Sequence, residues 1–180
     1  MKITYLVGNG LDLSFGLKTA YKDFYNYQME LYKPENGESN IIYDEIKKDK
    51  NNNFENWSDF ELTLGRITLE NTEIIDSDEK REQFLQDFDQ VTEDLIYYLK
   101  SVENKYCEGK EFPSRAINFR ETLSNLINNP DLPEDNRNYL KTYFELFSGE
   151  DTVQILSFNY TSVLKQLHDK SDTRIPITYR

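Results

Sequence analysis

The chain has 180 residues, enough for one domain with a real core and too few to expect two. A net charge of −12 sets it against nucleic-acid backbones, and no Lys/Arg cluster supplies a local basic groove. The single cysteine excludes an internal disulfide and a zinc site built on cysteine pairs, which fits a reducing, cytoplasmic setting.

Residues 3–7, ITYLV, form a short apolar, β-branched run cut off by glycine, the pattern of a buried strand. The opening MKITYLV is too short for a signal peptide, and no window approaches the ~18 apolar residues of a membrane span. Three of the seven glycines follow at once in VGNGLDLSFG, residues 7–16. This loop lacks the Walker spacing G-x-x-x-x-G-K-S/T. It also misses G-x-G-x-x-G, because Leu13 holds the third position and the next glycine is Gly16. Gly8 and Gly10 would let a ligand approach the backbone, and Asn9 tolerates left-handed dihedrals. Free N–H groups in the following turn would favour an anion. A plain strand-to-helix connection and a nucleotide site both fit this spacing. Asp12 would repel a phosphate, so it reads either as an N-cap or as a partner for sugar hydroxyls.

Thr19 is a candidate N-cap for a helix with Tyr21, Phe24, Tyr25, Gln28, Leu31 and Tyr32 near one face. Residues 33–56 turn polar, including Asn51-Asn52-Asn53, and read as a mobile insertion with a short helix around 41–46. Ser58 and Glu61 have capping-box spacing and predict a helix to about Leu69, with Trp57 as a packing residue. Acidic residues crowd between Glu70 and Asp94, where the next helix begins, and read as a solvated face. That helix carries Phe84, Phe88, Val91, Leu95, Leu99 and Val102 at steps of three and four. Two more follow. One turns Ala116, Phe119, Leu123 and Leu126 inward. The other starts at Pro133 behind Asp131, presents Tyr139, Leu140, Tyr143, Phe144 and Phe147, and ends at Gly149.

Residues 153–158, VQILSF, predict a second strand, and Thr161 is placed to cap a helix over 162–168. Residues 175–179 predict a third strand. Two apolar strands that each run into a helix imply a parallel α/β sheet, whose ligands sit at the strands' carboxyl ends. Gly8 to Asp12 and Asn159 to Thr161 would share that edge. Ser157 lies within a strand and not in a G-x-S-x-G elbow, and the sole histidine, His168, has no evident nucleophile. No cluster has metal-ligand spacing, so no metal is expected.

Three blocks together resemble one known family. GNGLD at 8–12 with GLKTAYKDF at 16–24, WSDFE at 57–61 and SFNYT at 157–161 are similar to the AbiH-like phage abortive-infection proteins. The resemblance implies a bacterial defence protein and covers 1–180 as a single domain, with a helical insertion over about 20–149. The same motif order is similar to the sirtuin-like superfamily, which implies a small Rossmann-like parallel sheet that binds NAD. By that comparison Gly8, Asn9, Gly10, Leu11 and Thr161 would meet the dinucleotide and Asn159 would stand at the reaction centre. Asp12 or Glu61 would stabilise positive charge on the sugar, and nicotinamide–ribose cleavage is the implied reaction. Thr161 stands where the sirtuin pattern has Asp. The His-Gly pair that pattern places downstream is not among the 180 residues, which implies a chain truncated at its C-terminus. A nucleotide and a phage-protein trigger are the expected partners, with a homo-oligomer left open. A non-catalytic phage-sensing module is the rival reading, and a nuclease toxin fits the charge least.

Overall fold

A computed structural model describes residues 2–32, 39–52, 59–70, 76–124, 130, 132–146, 152–170 and 177–179. The chain divides into two compact units, one of residues 1–17 with 102–180 and one of residues 18–101.

The first unit holds the sheet. In chain order it contains β1 (Lys2–Val7), α1 (Gly10–Ser14), the end of α5 (Asp78–Cys107), α6 (Phe112–Ser124), α7 (Glu134–Leu146), β2 (Thr152–Ser157), α8 (Val163–Lys170) and β3 (Ile177–Tyr179). The three strands are parallel in the order β1-β2-β3. The protein is therefore α/β, as the strand-then-helix pattern implied. Register runs from Lys2 opposite Thr152 to Val7 opposite Ser157, so β1 and β2 end level.

Strand alternation turns Tyr5, Val7 and Ile155 to one face, where Leu164 of α8 and Leu11 of α1 cover them. Val163 and Leu167 of α8 join Leu17, Phe112 and Ala116 in a second cluster, closed by Phe15, Val102, Tyr106 and Cys107. Both clusters draw on α8, the helix that follows β2. Tyr139, expected inside, is 68% exposed on α7. The side chains of Phe119, Leu123, Leu126, Tyr143, Phe144 and Phe147, and residues Asp131 and Gly149, lie outside the described residues.

The second unit is helical: α2 (Tyr21–Leu31), α3 (Ile41–Asn51), α4 (Phe60–Gly65), a π-helical turn (Arg66–Glu70) and α5 up to Ser101. Ala20, not Thr19, precedes α2 at the cap position, and Thr19 is buried. Phe24 and Tyr25 are core, whereas Leu31 is exposed. The short helix expected at 41–46 runs on to Asn51, and its Ile42, Tyr43 and Ile46 are among the most buried side chains. Asn40 caps it by accepting the Ile42 and Tyr43 N–H groups at 3.0 and 3.2 Å. Sequence composition hid this helix's length and burial, because its inward residues are interspersed with Lys, Asp and Asn. Asp59 caps α4 through the Leu62 N–H at 2.9 Å, while Trp57 and Ser58 lie outside the described residues.

The stripe on α5 is not left exposed, but the acidic face is not wholly solvated. Asp87 is buried and accepts the Ile41 N–H at 2.7 Å and the Gln83 amide at 2.8 Å. Asp94 accepts from Gln28, Gln90 and the Tyr43 hydroxyl. Two of the acids thus act as acceptors that fasten α2 and α3 to α5.

Candidate functional site

The ends of β1 and β2 meet as the topology implied. The Phe158 N–H donates to the Val7 carbonyl at 2.8 Å, extending the ladder one step past β2. Gly8-Asn9-Gly10 and Phe158-Asn159-Tyr160-Thr161 therefore leave the sheet side by side. Asp12, on the first turn of α1, is fully buried between them. Its Oδ1 accepts the Asn159 amide at 2.9 Å, and its Oδ2 accepts the Thr161 hydroxyl at 2.7 Å. One carboxylate thus joins the two loops across nearly the whole chain.

Burial pushes the Asp12 carboxyl above its ordinary range, and the nearby Glu103 carboxylate adds to that push. The Thr161 and Asn159 donors oppose both. Asn159 is half-buried, and its Oδ1 is closed off from solvent and meets no donor among the described residues. Its backbone N–H donates to the buried Ser157 hydroxyl at 3.3 Å. The Thr161 hydroxyl does not cap α8. That place belongs to Ser162, whose carbonyl accepts the Gln166 N–H at 3.0 Å. Glu103 of α5 holds this helix start, accepting the Ser162 N–H at 3.0 Å, the Ser162 hydroxyl and the Gln166 amide at 2.6 Å.

The glycine loop differs in detail from its expected form. Asn9 sits in the right-handed region, with φ −53°, so its tolerance of left-handed backbone is not used. Of the turn's N–H groups, those of Leu11 and Leu13 are already bonded to the Gly8 and Asn9 carbonyls, at 2.9 and 3.1 Å. Gly16 carries the positive φ, +80°, where the chain leaves α1 and the Leu17 N–H returns to the Asp12 carbonyl at 3.0 Å. Gly8 and Gly10 do not have positive φ, and a Cβ added to either would meet nothing within 4 Å. Neither dihedral nor packing among the described residues demands glycine at these two positions.

Two residues of the setting have no local sequence signal. Glu103 is one. Arg115 of α6 is the other, donating to the Phe15 carbonyl at 2.9 Å and to Glu111 at 2.9 Å, with its guanidinium over the Phe15 and Tyr106 rings. It anchors the chain just after α1. Glu61 lies on α4 in the 18–101 unit, and its side chain is outside the described residues. A cavity of about 510 Å³ also occurs in that unit, between Gln28, Tyr32, Asn40, Tyr43, Asp87 and Asp94, and none of the predicted site residues lines it.

A family model described as bacteriophage abortive infection AbiH matches residues 4–178. The chain belongs to the AbiH family. The match takes in both strand ends, so Asp12, Asn159 and Thr161 all lie within the matched segment. It identifies a phage-defence protein by family. No curated protein and no solved structure matches this AbiH chain. Among its described residues, no helix is long and apolar enough to cross a membrane.

Proposed function

We propose that this AbiH protein binds a nucleotide, NAD, at the carboxyl edge of its sheet, and hydrolyses the nicotinamide–ribose bond as part of phage defence. The observation that carries the reading is the buried Asp12 tying Gly8–Gly10 to Asn159–Thr161 at the ends of adjacent parallel strands. Parallel α/β sheets bind ligands at that edge. Two further features support it. Gly8 and Gly10 are open on the side where a Cβ would stand, leaving the backbone accessible to a close-lying ligand. Phe158 and Tyr160 expose 55% and 57% of their surface on either side of Asn159, apolar area against which a base can stack.

In this reading the fold is a Rossmann-type sheet of the sirtuin-like kind. Gly8, Asn9, Gly10 and Leu11 lie along the dinucleotide. Asn159 faces the reacting ribose. A water oxygen bonds to the anomeric carbon while the bond to nicotinamide breaks, its electron pair returns to the ring nitrogen, and a proton passes to solvent. Buried carboxylate charge at Asp12 favours the positive character that develops on the sugar.

Nicotinamide release from NAD by the wild-type protein and by Asn159→Ala tests this. Release by the wild type with loss in the variant is expected. Equal turnover by both would remove Asn159 from the reaction, and turnover by neither would remove NAD cleavage.

A further inference from the structure

The Asn159 amide has two ends, and the site uses only one. Its Nδ2 donates to Asp12 Oδ1 at 2.9 Å, while its Oδ1 is closed off from solvent without a donor among the described residues. Rotating the amide by half a turn would bring Oδ1 against the Asp12 carboxylate, setting acceptor against acceptor with no proton between them. Asp12 cannot swing away to relieve that contact, because its other oxygen holds the Thr161 hydroxyl at 2.7 Å and the residue is fully buried. A buried acceptor left without a partner is unfavourable, and folded chains tolerate few such groups. Here the disfavoured end is the one turned away from Asp12.

We infer that Asp12 and Thr161 are positioning residues, which lock the Asn159 side chain in one orientation and hold its Oδ1, closed off from solvent in the ligand-free chain, as the acceptor for a hydrogen-bond donor of a ligand whose binding uncovers it. This rests on the nucleotide reading for the identity of the ligand, but the lock itself does not. It narrows the ligand chemistry at this point to a hydroxyl or an N–H, and excludes a phosphate oxygen, which has no proton to give. Substituting Asp12 by Asn leaves one acceptor for two donors. It also supplies an N–H group that can donate to Asn159 Oδ1, so the amide is free to invert.

Two measurements on the full chain test the lock. The first is the side-chain amide ¹⁵N–¹H signal of Asn159, assigned by its disappearance in Asn159→Ala. In the wild type one of its two protons is expected well downfield, bonded to a carboxylate, and that separation is expected to collapse in Asp12→Asn and to shrink in Thr161→Val. An amide signal unmoved by either substitution overturns the proposal. The second is the NAD dissociation constant by calorimetry, expected to rise about tenfold in Asp12→Asn, equivalent to one lost hydrogen bond of about 1.4 kcal/mol. If wild type binds NAD and the folded variants bind it equally well, the positioning role is overturned even though the site stands. If wild type binds no NAD, the nucleotide reading falls and the amide signal alone decides the lock. Thr161→Val keeps the test open should Asp12→Asn fail to fold, since it removes one hydroxyl and preserves side-chain shape.

Discussion

Asp12 and Asn159, 147 residues apart in sequence, share a hydrogen bond of 2.9 Å at the sheet edge. Replacing Asp12 with Ala strands the Asn159 amide and the Thr161 hydroxyl together. Each unsatisfied buried group costs about 1–3 kcal/mol, so Asp12→Ala is expected to lower unfolding stability by more than Thr161→Val does. Urea denaturation of the three proteins measures the order directly. A variant with Ala at position 12 and the wild-type midpoint would show that the bridge contributes nothing.

The sign of the Asp12 pH dependence follows from burial, which raises its folded pKa above the ordinary 3.8. A carboxyl that binds its proton more tightly when folded makes stability rise as pH falls from neutrality through the raised value, and this gain is complete below 3.8. Asn at position 12 has no such proton. The stability difference, wild type minus Asp12→Asn, is therefore expected to grow between about pH 7 and about pH 4. Urea titrations of both proteins across that range read it, and a difference that shrinks on acidification contradicts the raised pKa.

Glycines in the first motif separate by what they do. Gly16→Ala places a side chain at φ +80° and is expected to cost about 1–2 kcal/mol of stability. Gly8→Ala and Gly10→Ala meet no atom within 4 Å. They are expected to stay within about 0.5 kcal/mol of wild type. If a ligand lies against this backbone, the same two substitutions reduce nucleotide affinity by tenfold or more, on the order of 1.4 kcal/mol. Thermal melts and calorimetry on one set of proteins distinguish the two outcomes.

Cys107 should be a slow thiol. Burial pushes it up to about 11, with Glu103 and Glu108 adding to the effect. The thiolate is the reacting species, so alkylation near neutral pH is expected to run roughly a hundred times slower than for a cysteine at the ordinary value of 9.0. Unfolding in urea should restore the ordinary rate. Equal rates before and after denaturation would mean that Cys107 is not enclosed by the Phe112 and Val163 cluster it packs against.

In the helical unit, Ile42→Ala or Ile46→Ala is expected to destabilise by about 2–5 kcal/mol, since both side chains are fully buried. Loss of helix signal at lower urea would register it.

That same helix shows where reading the sequence falls short. Strand signals at 3–7 and 153–158 are local: apolar, β-branched and ended by glycine or asparagine, and both appear within a residue or two of their true bounds. α3 is capped locally by Asn40 but also held by Asp87 from another helix, a partner that neighbouring residues do not announce. Thr161 was predicted as a cap because a hydroxyl between strand and helix is a good local cap, yet its partner is Asp12, 149 residues away. Shared placement of both loops at one edge could be deduced from parallel topology. The bridging carboxylate could not, because only the completed sheet brings its donors within reach. Glu103 and Arg115 carry no local signal for the same reason.

Synthesis order gives the β1–β2 pairing a further consequence. Residues 18–101 are contiguous and largely helical, so their contacts can form as the chain leaves the ribosome. β1 emerges first but finds its neighbour only when Thr152 to Ser157 have been made, after a loop closure of about 145 residues. Until then Asp12 has neither of its two donors. A chain interrupted between Ser101 and β2 would contain the helical residues 18–101 without the Asp12–Asn159 bridge, so this edge is assembled only late in translation.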